Sequence, residues 1–385
     1  MPNISLAKPF LNDAEERAVL EVLRSGWLSS GPRCLEFEEL VANFIGRRYA
    51  VAVNSGTSAI HLALMAAGVT LGDEVIVPAF TCVAALHPII ALGAVPVPVD
   101  IDIKTFAIDP SCLAASVTSR TRGVLYAHLF GIPGSVSDVA TLCRTRNLFL
   151  IEDIALALGA YQQTRHVGTI GDFACLSFHP RKMITTGEGG MVLTNSESNA
   201  IILKELRNYG ASVQAWHRHR TDIASLPKYD RPGFNYKLTD IQAAIGIEQV
   251  HKLPEIFECR RRIAGHYDKS FDQLPWLKVM SEPAGIRFGY QSYVALVDLP
   301  AAPSSYTPDL RDRLITHLTA NGIASVQAAQ AMPSVAYYAR HFNWPLSRFP
   351  QAMRADASTI ALPIYPTLRE SEQEQIIAAV RNFRL

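Results

Sequence analysis

From Val75 to Val99 the chain carries no formally charged residue. A stretch of that length and character would suit a membrane-crossing helix. Pro78, Pro88, Pro96 and Pro98 break it, His87 interrupts it and Asp100 closes it. Proline locks φ and removes a backbone donor, so no single long helix fits. The segment reads instead as strand, helix, strand inside a protein core. EVIVPAF (74–80) is a buried strand, and HLALMAAG (61–68) before it carries a helix stopped by Gly68. A helical stretch near 82–92 follows, then VPVPVD (95–100), GVLYAHLF (123–130) and LFLIED (148–153). Apolar strands without polar alternation, separated by helices, need cover on both faces. They predict an α/β fold with a mostly parallel central sheet covered by helices. ACLSF (174–178) and GMVLT (190–194) lie too close together for a helical crossover, so antiparallel pairing is expected there.

With 385 residues the chain exceeds what one small core requires. Its texture changes after about residue 240. IQAAIGIEQVHKLPEIFECRRRIAGHYDKSF is a long helical pattern broken at Pro254, and SYVALVD (292–298), RDRLITHLTANG (311–322) and EQEQIIAAVRNF suit an α+β unit. A large domain over residues 1–250 and a smaller C-terminal α+β domain over 251–385 are expected. The 36 basic and 35 acidic side chains nearly cancel, which gives no electrostatic case for nucleic acid or an anionic membrane as partner. The six cysteines form no CxxC pair, so neither a zinc site nor a disulfide framework is expected, and reduced thiols fit the cytoplasm. MPNISLAKPFLND has no signal-type apolar stretch.

Three segments carry chemistry. In SFHPRKMITTGEGGMV (177–192), Lys182 follows a short strand and precedes a glycine-rich turn. A desolvated lysine there is placed to form an imine with an aldehyde, although a surface lysine beside a turn has the same local sequence. In LFLIED, a buried strand ends in Glu152 and Asp153. Open α/β sheets bind ligands at the carboxyl ends of their strands, and a carboxylate facing a pyridine nitrogen keeps it protonated. The alternative is a helix N-cap. In VNSGTSAIHLAL (53–64), Ser-Gly-Thr-Ser between strand and helix makes either a phosphate cradle or an ordinary capped helix.

The order of these elements, cradle, strand-end Asp, then Lys, is that of fold-type I pyridoxal-phosphate (PLP) enzymes. The chain resembles the DegT/DnrJ/EryC1/StrS family of sugar aminotransferases through SGWLSSGPRCLEFE (25–38), NSGTSAIHLAL, GDEVIVPAFT (72–81), the IED strand end, GTIGDFACLSFHPRKMITTGEGGMV and GFNYKLTDIQAAIGIEQ (233–249). Similarity is weaker toward LPIYPTL (362–368). The resemblance implies that Lys182 is the Schiff-base lysine and proton shuttle, that Asp153 pairs with the pyridinium, and that Gly56, Thr57 and Ser177 hold the phosphate. It implies a homodimer in which Asn235 reaches the phosphate bound by the neighbouring subunit. The family's usual Arg in that motif is Lys237 here.

The reaction so implied is ping-pong transfer of an amino group from glutamate or glutamine, through pyridoxamine 5′-phosphate (PMP), to a nucleotide-linked 3- or 4-keto-6-deoxyhexose. A keto-cyclitol acceptor and a non-catalytic regulatory relative are the alternatives. Family dehydratases carry His in place of the lysine, and Lys182 opposes that assignment. Two positions depart from the family pattern. Cys82 stands where an aromatic residue commonly covers the cofactor ring, and Leu156 stands where Gln or His is common. Weaker cofactor binding is expected, or a substitute contact from Phe80 or a nearby hydroxyl. His179 is either a substrate contact or a local structural residue. WHRHRTD (216–222) reads as a basic loop rather than a metal site, and its Arg218 and Arg220 are candidates to meet a diphosphate. Trp27 and Ser29 lie in the family's substrate-side segment, Trp27 being equally a core candidate. GIASVQAAQAM (322–332) lacks the family's usual polar residues, which points to an unusual acceptor.

Overall fold

A computed structural model of the protein describes residues 3–212, 227–297 and 309–385. Its largest sheet has seven strands: β1 (Tyr49–Val53), β2 (Glu74–Pro78), β3 (Val95–Val99), β4 (Thr121–Ala127), β5 (Phe149–Asp153), β6 (Phe173–Ser177) and β7 (Gly190–Thr194). They lie in the order β1-β7-β6-β5-β4-β2-β3. The β3–β2, β2–β4, β4–β5 and β5–β6 pairs are parallel. Strand β7 is wedged antiparallel between β1 and β6, as the short spacing of ACLSF and GMVLT predicts.

Both faces of this sheet are covered, which explains the missing polar alternation. Ala50, Ala52, Leu176, Met191 and Leu193 enter one apolar cluster, while Val51, Val53, Cys175 and Val192 enter another on the opposite face. Helix α1 (Pro32–Ile45) packs on the first face through Phe37, Val41 and Ile45, and helix α2 (Gly56–Ala66) packs on the second through Ala59, Leu62 and Ala63. The uncharged run from Val75 to Val99 is β2, two short helical segments and β3. No helix among the described residues is long and apolar enough to cross a membrane.

The long helical pattern after residue 240 resolves into α3 (Asp240–His251) and α4 (Leu253–Phe271). Pro254 falls in the first turn of α4, where a missing N–H breaks no helical bond. A second sheet, antiparallel throughout, holds β8 (Leu277–Val279), β9 (Tyr293–Val297), β10 (Val326–Gln327) and β11 (Thr359–Leu362) in the order β8-β9-β11-β10. It shares a core with Ile263, Ala264 and Tyr267 of α4 and with Ile376, Ile377 and Val380 near the C-terminus. Phe80–Thr81, just past β2, pairs antiparallel with Gln330–Ala331. That short ladder brings the segment after β10 to the edge where the parallel strands end.

Candidate active site

Successive side chains of a strand point to opposite faces, so Glu152 and Asp153 at the end of β5 have different fates. Glu152 is fully buried. Its carboxylate accepts the N–H groups of Gly168 (2.8 Å), Ile170 (2.8 Å) and Gly171 (2.7 Å), and a hydrogen from His128 Nε2 at 3.1 Å. Arg47 stands 3.7 Å away and donates to the carbonyls of Gly168 and Gly171. Burial pushes the Glu152 pKa up, but the His128 bond, the Gly171 N–H and the Arg47 charge outweigh it and hold the group at about 2. Glu152 is thus spent on fixing the loop that returns to β6.

Asp153 lines a cavity at the carboxyl edge of the sheet. Its Oδ1 accepts the Ala155 N–H at 2.9 Å, a side-chain turn two residues long. Turns follow it rather than a helix, so the N-cap alternative is ruled out. Burial raises the Asp153 pKa, against the Ala155 N–H and the charge of Lys182.

Lys182 sits in the loop between β6 and β7 and faces the same cavity. Burial lowers the pKa of its amine against the pull of Asp153, and Arg181 adds to the lowering. An amine eased toward neutrality is the form that attacks a carbonyl. The loop is closed by its own hydroxyls. Thr185 Oγ1 and the Thr186 N–H both donate to the Phe178 carbonyl, at 2.9 and 3.0 Å, and Thr186 Oγ1 donates to Glu188 O at 2.7 Å. Gln291 ties it to the second sheet by donating to Arg181 O at 2.6 Å.

Helix α2 begins at Gly56. Ser55 caps it by accepting the Ser58 N–H at 3.0 Å, which leaves the N–H groups of Gly56 and Thr57 without a protein acceptor among the described residues. A Cβ on Gly56 would lie 2.8 Å from Ser177 Cβ, and one on Gly190 would lie 2.3 Å from Ser55 O. Two glycines thus let the hairpin that carries Lys182 lie directly on the helix start. Free N–H donors, the positive end of a helix and the neighbouring Ser177 hydroxyl fit a phosphate. The amine and carboxylate beyond them fit an aldehyde and a pyridine nitrogen, so these residues suit PLP.

The cavity measures about 620 Å³ and brings together Gly56, Thr57, Asp153, Ser177 and Lys182, with Cys82, Leu156 and His179 also in its wall. Asn235 does not line it. That residue is exposed and bridges Asn208, while Lys237 Nζ lies 4.4 Å over the Tyr209 ring. Trp27 and Ser29 are likewise absent from the wall. His179 has a local structural role, its Nδ1 accepting the Arg181 N–H at 3.2 Å, and the residue also lines the cavity. Phe80 is not the substitute for the missing ring contact. It is fully buried among Phe106 and Phe130, with centroids 5.9 and 6.4 Å away, because strand alternation turns it away from the side that Thr81 faces. A hydroxyl does lie nearby: Thr81 lines the cavity, and its buried Oγ1 has no hydrogen-bond partner among the described residues.

His128, Arg181 and Gln327 also line the cavity and were not singled out by sequence. For His128 a signal existed, since it follows the strand-end residue Ala127 that pairs with Asp153. Residues 216–222, with Arg218 and Arg220, lie outside the described residues. No group of three or more His, Cys, Asp or Glu side chains suited to a metal occurs among the described residues.

This fold and this site define a PLP-dependent aminotransferase of fold type I. Residues 9–381 match the DegT/DnrJ/EryC1/StrS aminotransferase family, and the chain belongs to it. Spore coat polysaccharide biosynthesis protein SpsC of Bacillus subtilis is 35% identical over 97% of this chain and 95% of its own. The aminotransferase TlmJ from Streptoalloteichus hindustanus superposes with a TM-score of 0.88 at 31% identity, over 98% of both chains. Spr1654 from Streptococcus pneumoniae, in its PMP form, superposes with a TM-score of 0.90 at 26% identity, again over 98% of each.

Proposed function

We propose that the protein transfers the amino group of glutamate or glutamine to a nucleotide-linked keto-deoxysugar, in a ping-pong exchange where the deaminated donor leaves before the sugar enters. The observation that carries this reading is the shared cavity, where a lysine amine eased toward neutrality, a strand-end carboxylate and two open helix-start N–H groups face one space. When bound, PLP supplies an aldehyde to the amine and an electron-poor ring that takes up charge released at the substrate carbon. Lys182 Nζ holds the proton moved at that carbon. The Asp153 carboxylate keeps a proton on the pyridine nitrogen, and the cation so formed counters the burial that raises its own pKa. Gly56 and Thr57 hold the phosphate through their N–H groups, and Ser177 through its hydroxyl.

The substrates are argued from the rest of the wall. Arg181 is exposed at the cavity and has no ion pair among the described residues, which supports anionic groups on the substrates, the donor carboxylate first. The second sheet and the segment after β10 contribute Val326–Gln330, Ala361 and Leu362, all uncharged, which supports a neutral sugar ring on that side. SpsC's name places that relative in polysaccharide biosynthesis, and this supports a similar destination for the amino sugar. Asn235, exposed and turned away from its own cavity, supports a cytoplasmic homodimer in which it serves the neighbouring subunit. The two sheets support a division into a cofactor-binding and a substrate-side domain near residue 250.

Borohydride reduction of the PLP-loaded protein, followed by peptide mapping, should place the label on Lys182, and Lys182→Ala should lose it. Glutamate should bleach the cofactor's visible absorption, and a keto sugar nucleotide should restore it. A label on a different lysine ends the reading of the site. A label on Lys182 with no response to glutamate or glutamine ends the reading of the donor.

A further inference from the structure

The cavity wall supplied by the second sheet contains one side chain whose orientation is fixed from behind. Gln327, half-buried on β10, donates through Nε2 to Asp356 Oδ1 at 2.9 Å and to the Ala329 carbonyl at 2.8 Å. A carbonyl accepts only, and Asp356 is itself held as an acceptor, since the same Oδ1 takes the Ala331 N–H at 2.7 Å. Arg311 braces that helix by donating to the Asp356 carbonyl at 3.0 Å. An amide turned over would set its oxygen against two other oxygens. The flip is therefore decided by chemistry, and both N–H donors of the amide are consumed. What remains is Oε1, which takes no donor among the described residues and is not closed off from solvent.

We propose that Gln327 Oε1 is a fixed hydrogen-bond acceptor that selects a hydroxyl group on the neutral sugar ring of the amino acceptor. An oxygen of this kind attracts O–H donors and repels carboxylates, ethers and carbonyls. Ala328, Ala329, Ala361 and Leu362, which share this wall, carry no side-chain hydrogen-bonding group, and Gln330 is the other amide of the segment. A substrate lacking a hydroxyl at that point leaves Oε1 covered and unpaired, which is the arrangement that discriminates strongly against deoxy analogues. Asp356 touches no substrate in this assignment and acts by positioning the amide. The inference rests on the keto-sugar reading of the acceptor.

The test is calorimetric titration of PLP-loaded protein with dTDP-6-deoxyglucose and with analogues of it lacking one further ring hydroxyl each. In the natural protein, loss of one particular hydroxyl should weaken binding about tenfold, the range of a single buried hydrogen bond. Gln327→Met, of similar length and without the acceptor, should bind the parent sugar about tenfold more weakly and should no longer distinguish that analogue. Gln327→Ala serves as a second variant should the methionine disturb folding, and melting temperature checks both. Unchanged affinity in a folded variant, or discrimination that persists in it, overturns the assignment to Gln327 while leaving the acceptor class intact. Failure of the natural protein to bind dTDP-6-deoxyglucose or any of these analogues overturns the acceptor class and this assignment with it.

Discussion

Gly190→Ala is the substitution that most directly tests how the site is assembled. Gly190 opens β7, opposite Val53 of β1 and Ser177 of β6. An added Cβ would lie 2.3 Å from Ser55 O, 2.4 Å from Ser55 C and 2.7 Å from Gly56 N. All three are backbone atoms, so no side chain can swing aside. Real Cβ atoms rarely approach closer than about 3.0 Å, and β7 and the start of α2 must therefore separate by most of an ångström. Overpacking of this sort costs about 1–3 kcal/mol. The displaced atoms are those that frame the phosphate cradle, so the cost should fall on the cofactor more than on the sheet. Carried wholly by the cradle, it corresponds to PLP binding weakened roughly five- to 150-fold. Titration of the apo-protein with PLP, followed by absorbance, measures this, with a melting curve of the apo-protein alongside. Equal PLP affinity and equal melting temperature in Gly190→Ala would refute the claim that the hairpin rests on the helix start.

Two further outcomes follow from burial and charge. His166 is buried and held neutral, accepting the Gly159 N–H at 2.8 Å through Nε2, and burial lowers its pKa to about 4. Its folded pKa is depressed below the unfolded value of about 6.5, so the unfolded chain takes up the proton first and stability falls from near pH 6.5 toward pH 4. The loss approaches about 3 kcal/mol, and denaturant midpoints measured across that range should fall more steeply than in His166→Gln; parallel profiles would contradict it. Gly265 lies in the interior of α4 with nothing within 4 Å of an added Cβ. Gly265→Ala should therefore stabilise the fold by about 0.5–1 kcal/mol, read as a higher denaturant midpoint, and a lower midpoint would show a contact the fold does not reveal.

Much of the large sheet was legible because its strands are buried on both faces. Unalternating runs such as EVIVP and LFLIED fit a doubly covered strand, the edge strand VPVPV with Val95 exposed being the exception, and the spacing of ACLSF and GMVLT suits an antiparallel turn. The order of the Ser55–Thr57 segment, Asp153 and Lys182 along the chain pointed to their meeting, and the fold brings them to one cavity. What stayed hidden depends on which way a side chain turns and on contacts between distant segments. Glu152 and Asp153 are neighbours with the same chemistry, and only the pleat separates a structural anchor from a cavity carboxylate. Phe80 read as a ring cover because it is aromatic and close by, yet alternation assigns that side of the strand to Thr81. Gln327 gave no signal, since its meaning lies in Asp356 and in the Gln330–Thr81 pairing.

The wedge strand β7 has a consequence for how substrate choice can vary. Its hairpin with β6 carries Ser177 at the end of one strand, Lys182 in the connecting loop and, through Gly190, the contact to the helix start, so one element positions all three. The wall opposite comes from the second sheet and the segment after β10, and Gln291 ties it to the hairpin loop by donating to the Arg181 carbonyl. On the proposed reading, residues 326–330 can change to suit a new sugar while the element that carries Lys182 is left unaltered.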